Sequence, residues 1–189
     1  MHVFLETERL ILRRATAEDV DALVELNTDP EVTRFINGGK PIPRDVVEDE
    51  VGHWLHYYER FAGYGFWIVV EKASGDFLGW VHLRPTGDGA PDEPELGYRL
   101  TRAAWGRGYA TEASRALVER AFREHGAQRV FATTMSVNLR SRRVMEKAGL
   151  RFVRTFFLDW PDPIEGDELG DVEYALTRDE WERQQADQP

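Results

Sequence analysis

The chain has 189 residues, 42% hydrophobic and 12% aromatic, and no cysteine. That balance predicts one folded domain over residues 1–189 and excludes a disordered ground state, disulfides, cysteine-ligated metal centres and a cysteine nucleophile. With 24 basic and 34 acidic residues the net charge is −10, which argues against a nucleic-acid partner. No apolar run approaches the ~18 residues that cross a bilayer, and the acid-bearing start, Met1 to Leu10, does not read as a secretory signal. The expectation is a cytoplasmic protein that makes no membrane contact.

In chain order, Arg9-Leu10-Ile11-Leu12-Arg13 reads as a first strand. Thr16 and Asp19 form a capping-box variant that opens a helix through Val20, Leu23, Val24 and Leu26. Asn37 to Pro41 is a loop, and Pro43 opens a second helix through Val46, Val47, Val51, Trp54, Leu55 and Tyr58 that ends near Gly63. Two β-rich runs, Gly65 to Glu71 and Phe77 to Arg84, are joined through Ala73-Ser74-Gly75-Asp76 as a hairpin. A Gly/Pro/Asp loop over Pro85 to Pro94 leads into a strand, Glu95 to Leu100, where Gly97 predicts a bulge or a close backbone approach.

A helix over Thr111 to Glu124 places Ala110, Ala113, Leu117 and Ala121 on one stripe. A strand at Val130 to Thr134, a helix from Asn138 to Lys147 stopped by Gly149, and strands at Leu150 to Leu158 and Asp171 to Thr177 follow. The tail, 184–189, is expected to be disordered. The sum is one α/β domain, mostly antiparallel, with a βαβ core near residues 95–134.

Charge is unevenly placed. From Arg99 to Arg154 there are 13 basic and 4 acidic residues, the pattern of a local anion site or of a solvated helix face. Inside that block lies Trp105-Gly106-Arg107-Gly108-Tyr109-Ala110-Thr111-Glu112, between a strand and a helix. Two glycines one residue apart uncover backbone amides, and the helix adds unpaired N–H groups and its positive dipole end. Such amides converge on a phosphate or pyrophosphate, although a tight turn capping a helix gives the same pattern. Neither GxGxxG, since Thr111 takes the third glycine position, nor GxxxxGK[ST] is present.

With these motifs the chain resembles the GNAT superfamily of N-acetyltransferases, in its RimJ/RimL-like (ribosomal-protein N-terminal acetyltransferase) branch. The likeness runs along nearly the whole chain: Glu6-Thr7-Glu8-Arg9-Leu10-Ile11-Leu12-Arg13, Glu95-Leu96-Gly97-Tyr98, Trp105 through Ala113, then Asn138, Ser141, Glu146-Lys147 and Gly149-Leu150-Arg151-Phe152. The resemblance implies an α+β (α/β/α layered) fold, a mixed, mostly antiparallel seven-stranded sheet with a V-shaped split, flanked by about four helices. It implies acetyl-coenzyme A as co-substrate, its pyrophosphate on Trp105, Gly106, Arg107, Gly108, Tyr109, Ala110 and Thr111, and no metal.

Pantetheine then pairs with the backbone at Leu100 and Thr101, and Asn138 and Ser141 face it. Arg102, Arg107, Arg140, Arg142 and Arg143 surround the phosphates. The family's usual first loop residue is Gln or Arg; Trp105 stands there, a departure this branch often shows.

Acetyl transfer to an amine needs a neutral amine, a polarised carbonyl and a proton for the leaving thiolate. A carboxylate acting through water supplies the base, with Glu95 first and Glu93 and Asp92 behind it; an exposed strand-start carboxylate is the plain alternative. The superfamily's common proton donor is a Tyr seven residues after the Asn, but that position is Met145, so the resemblance moves the role to Ser141. The Leu100 amide is an oxyanion donor candidate. Tyr109 reads as packing.

Seven acids and no base between Asp159 and Glu173 predict an acidic rim or a solvated loop; a rim attracts a cationic acceptor such as a peptide N-terminus, a polyamine or an aminoglycoside. Trp160, Trp54, Tyr57, Tyr58 and Phe35 either wall a pocket or fill a core. His53, His56 and Asp49 share a helix face but lack the rest of a catalytic metal site. An aminoglycoside-type resistance acetyltransferase and a coenzyme A-binding sensor without turnover are the alternatives, and monomer and homodimer both stay open.

Overall fold

A computed structural model describes residues 2–86, 91–159 and 162–187. Chain contacts divide it into two units, Met1–His82 with Tyr98–Ala113, and Leu83–Gly97 with Ser114–Pro189.

The first unit holds β1 (Val3–Glu6), β2 (Leu10–Arg14), α1 (Val20–Thr28), α2 (Pro30–Asn37), α3 (Arg44–Arg60), β3 (Gly65–Glu71), most of β4 (Phe77–Arg84), the end of β5 (Glu95–Leu100) and the first turn of α4 (Tyr109–Glu124). Its strands follow one another in sequence order. β2 pairs antiparallel with β1 and with β3, Leu10 opposite Glu71 and Leu12 opposite Val69.

Alternation puts Leu10 and Leu12 wholly out of water. The i, i+4, i+7 spacing of Val47, Val51 and Trp54 on α3 buries one stripe against Leu23, Leu26 and Ile68. Each such side chain contributes roughly 1.5–3 kcal/mol of transfer free energy. The Asp19 carboxylate holds the Thr16 amide (2.8 Å) and takes Arg13 Nη1 (2.8 Å), which fixes the entry to α1.

The second unit holds most of α4, then β6 (Arg129–Met135), α5 (Leu139–Lys147), β7 (Arg151–Phe156), β8 (Asp171–Thr177) and α6 (Arg178–Ala186). Strand order here is β5-β6-β8-β7, with β5 and β6 parallel through Glu95 and Phe131 and the other pairs antiparallel. Parallel neighbours need a crossover, and α4 supplies it, as the βαβ reading expects. Leu117 and Ala121 of its small-residue stripe are fully buried.

Three features differ from expectation. The sheet has eight strands because Val3–Glu6 pairs with β2, a segment too short to stand out by pattern. Six α-helices are present among the described residues rather than about four: α2 is capped by Asp29, whose Oδ1 accepts from Glu31 N (3.0 Å), and ends at the left-handed Gly38. Of the tail expected to be disordered, 184–186 form the end of α6, which is opened by a Thr177/Glu180 capping box and tied down by Gln184 Nε2 donating to the Gly149 carbonyl (3.1 Å); residues 188–189 lie outside the described residues.

Candidate active site

The glycine loop sits at the start of α4. Gly106 (φ 74°) and Gly108 (φ 83°) adopt left-handed backbone that favours glycine. A Cβ on Gly106 would meet nothing within 4 Å, so its surface is open. None of the amides of residues 106–111 donates to a backbone carbonyl among the described residues; the first bond into the helix is Glu112 N to Gly108 O (2.9 Å). A run of six uncommitted N–H groups at the positive end of a 16-residue helix fits a pyrophosphate.

Trp105, the departure from the usual loop residue, is a brace. Its indole Nε1 donates to the Leu100 carbonyl (2.9 Å), and its ring packs on the first unit's apolar core. Thr101 has both main-chain groups engaged, donating to Leu78 O (2.9 Å) and accepting from Ala104 N (3.0 Å).

Sequence reasoning missed what holds the loop from the other side. Arg9 donates through its main-chain N (2.9 Å) and Nε (2.7 Å) to Glu112 and through Nη1 to the Arg107 carbonyl (3.0 Å). Its guanidinium lies 4.6 Å from the centre of the Tyr109 ring. Thr7 Oγ1 gives Glu112 another bond (2.6 Å). Burial works to raise the Glu112 pKa, but the bonds from Thr7 and Arg9 outweigh it and hold the carboxyl below its ordinary range.

Glu71 accepts from the Tyr109 hydroxyl and, at 3.2 Å, from Arg107; the Tyr109 bond is the main cause of its lowered pKa. Tyr109 is thus a buried anchor, in line with packing. Arg102 pairs with Asp29 (3.3 Å) while staying largely exposed.

In the second unit, Asn138 caps α5: its Oδ1 accepts from Ser141 N (3.2 Å) and its Nδ2 donates to Thr134 Oγ1 (3.1 Å). That fixes Ser141, half-buried, in the first turn. Arg142 turns inward, giving Nε to the Tyr174 hydroxyl (3.1 Å) and Nη1 to Ser136 O (2.9 Å), so it is structural rather than a phosphate ligand. Arg140 and Arg143 are exposed. Met145 is buried in the core.

Glu95 accepts from Arg84 Nη2 (2.7 Å) and keeps 18% of its side chain exposed, so a fixed carboxylate meets solvent. Glu93 pairs at 3.5 Å with Arg129, and the carbonyl of Asp92 receives the amides of Gln128 and Arg129.

The acidic run separates in two. Asp171 and Glu173 are buried in β8, with Glu173 held by Arg129 and Arg154; burial raises its pKa, and the two guanidinium groups more than reverse that. Asp159, Asp162, Glu165 and Glu168 stay exposed. Two of the candidate pocket aromatics are core instead. Trp54 stacks on Phe66 at 4.7 Å, and the Tyr58 hydroxyl binds the Ala15 amide (3.0 Å) and the Phe66 carbonyl, with burial pushing its pKa up to about 12. Trp160 lies outside the described residues. His53 and His56 are exposed, and no cluster of three or more His, Asp or Glu suited to a metal occurs among the described residues.

An acetyltransferase (GNAT) domain matches residues 9–151. The chain belongs to the GNAT acetyltransferases, a family that uses acetyl-coenzyme A, and its enzyme class is that of an N-acetyltransferase. The FsC-acetyl coenzyme A-N(2)-transacetylase of Aspergillus fumigatus is 37% identical over 188 residues, 96% of this chain and 79% of that protein.

Two solved structures share the fold. One is RimL, a ribosomal L7/L12 α-N-protein acetyltransferase in complex with coenzyme A (TM-score 0.75, 17% identity, 93% of this chain and 98% of that one). The other is the Vibrio cholerae spermidine N-acetyltransferase with coenzyme A and spermine (TM-score 0.75, 12% identity, 93% and 99%). No helix among the described residues is long and apolar enough to cross a membrane.

Proposed function

We propose that this protein, working as one catalytic domain in the cytoplasm, moves an acetyl group from acetyl-coenzyme A to a primary amine by direct attack, and that it belongs to the RimJ/RimL-like branch. The observation that carries the reading is the run of six uncommitted amides at 106–111. They bind the pyrophosphate, with the exposed Arg102, Arg107 and Arg143 adding charge around the phosphates. Leu100 pairs with the pantetheine, and Asn138 sets the α5 turn that presents Ser141.

Acetyl-coenzyme A, when bound, supplies an acyl group activated as a thioester. An α-amine with a pKa of ~7.7–8.0 sheds its proton readily near neutrality. Glu95, oriented by Arg84, takes that proton through a water as the N–C bond forms. Ser141 delivers a proton to the sulfur as the C–S bond breaks. The exposed acids Asp159, Asp162, Glu165 and Glu168 favour a cationic acceptor, either a peptide N-terminus or a small amine. The names of the three relatives above, an N(2)-transacetylase, an α-N-protein acetyltransferase and a spermidine N-acetyltransferase, support nitrogen as the acceptor atom.

Thiol release measured on peptides, polyamines, amino acids and aminoglycosides tests this. Release is expected with at least one amine class, and Ser141→Ala is expected to cut kcat by about 100-fold while coenzyme A affinity is kept. Release no faster than background hydrolysis on every amine contradicts turnover and points to a coenzyme A sensor.

A further inference from the structure

Arg13 and Arg99 are the half-buried arginines of the first unit, the others being exposed, and these two differ in their partners. Arg9, Arg13, Arg44, Arg102 and Arg107 each have a carboxylate within ion-pair distance. Arg99 has none among the described residues. Its one hydrogen bond runs from Nη1 to Oδ1 of Asn27 (2.6 Å), a neutral amide that is itself 1% exposed. Its guanidinium lies 5.2 Å from the centre of the Trp80 ring, which packs against Phe66 and the core residue Trp54.

The side chain is half-buried, and burial lowers its pKa; Glu50 is the one charge that counters this, acting at longer range. The backbone beneath it is fixed. A Cβ on Gly79 would fall 2.2 Å from the Arg99 carbonyl, so only glycine allows β4 to approach β5 this closely.

Leaving a guanidinium partly desolvated without a counter-charge is unfavourable, and a chain with 34 acids had many ways to neutralise it. Nε and Nη2 make no hydrogen bond to a described residue. The planar fork, set over the Trp80 ring and held by Asn27, matches a carboxylate with two parallel N–H···O bonds. We infer that Arg99 binds a carboxylate of the acceptor, so that the favoured acceptors carry an amine and a carboxylate together, as amino acids do. This rests on the amine-acceptor reading above and narrows it.

Matched acceptors that differ only in the carboxylate test it: L-ornithine against 1,4-diaminobutane, and L-phenylalanine against 2-phenylethylamine. The wild type is expected to favour the carboxylate member of a pair by about tenfold or more in kcat/KM. Arg99→Met brings that ratio close to one through KM, and Arg99→Lys restores part of it. Coenzyme A affinity, measured by calorimetry, stays within about twofold in both variants, which also reports that they fold. An unchanged ratio in Arg99→Met, or no preference in the wild type, overturns the inference. A coenzyme A affinity at least tenfold weaker also overturns it, by assigning Arg99 to the cofactor's phosphates.

If no amine at all is acetylated, the amine-acceptor reading fails on its own. The carboxylate site is then judged by calorimetric binding of L-ornithine and L-phenylalanine to the coenzyme A complex. Binding that Arg99→Met removes supports the site, and its absence in the wild type refutes it.

Discussion

Arg9 shows how one side chain can organise a loop it does not belong to. Its fork spans Glu112 in the first turn of α4 and the carbonyl of Arg107, while its flat face covers Tyr109. Arg9→Met removes the charge-assisted bonds and leaves Glu112 with a lowered share of partners, so the loop loosens. Coenzyme A is expected to bind about tenfold more weakly by calorimetry, and Arg9→Lys not to recover it, because an ammonium cannot bridge both acceptors.

Glu173 tests electrostatics of a different kind. Its pKa is lowered in the folded protein, as are those of Glu112 and Asp19. The unfolded chain therefore binds more protons as pH falls, so this stabilisation is complete above the ordinary carboxylate range and is lost on acidification through the lowered values. The melting temperature should fall between about pH 5 and about pH 3, less steeply in Glu173→Gln than in the wild type. A variant with the wild-type slope would remove Glu173 from that account. Little of this was legible beforehand: a pairing across more than 100 residues, such as Arg9 with Glu112, leaves no local pattern, and an acid buried in β8 looks in sequence like the exposed acids before it.

At the scale of elements, legibility follows how sharply each segment is bounded. β3, β4, β5 and β8 are found at their expected limits because turn residues close both ends and β-formers fill the middle. β1 and α2 escape notice since each is short and depends on tertiary partners, and α6 does since polar residues at a terminus look like a frayed tail. Gly97 attracts attention as a glycine inside a strand; a close backbone approach is seen at Gly79, where φ is 130°. Gly79→Ala forces a methyl into the Arg99 carbonyl and an unfavourable φ. A loss of at least ~2 kcal/mol is expected in urea unfolding, whereas Gly75→Ala, which meets no atom within 4 Å, should cost only its backbone strain.

For the whole molecule, the excess of positive charge from Arg99 to Arg154 is a better guide to the site than the net charge, but its members have separate fates. Arg142 serves the interior, Arg129 and Arg154 neutralise Glu173, and Arg99 faces an aromatic wall. Composition counts these side chains alike; only packing tells which are already committed. The glycine loop was legible because its requirement is written in residue type, two glycines and a helix start, while the carboxylate-free setting of Arg99 comes from separate segments meeting, α1 at Asn27 and β4 at Trp80.

Hydrogen exchange of the backbone amides, with and without coenzyme A, addresses the central claim most directly. Protection that rises at residues 106–111 on adding coenzyme A, and disappears in Gly108→Trp with the rest of the pattern intact, is the predicted result. Exchange at 106–111 that stays the same while coenzyme A protects another segment would contradict it.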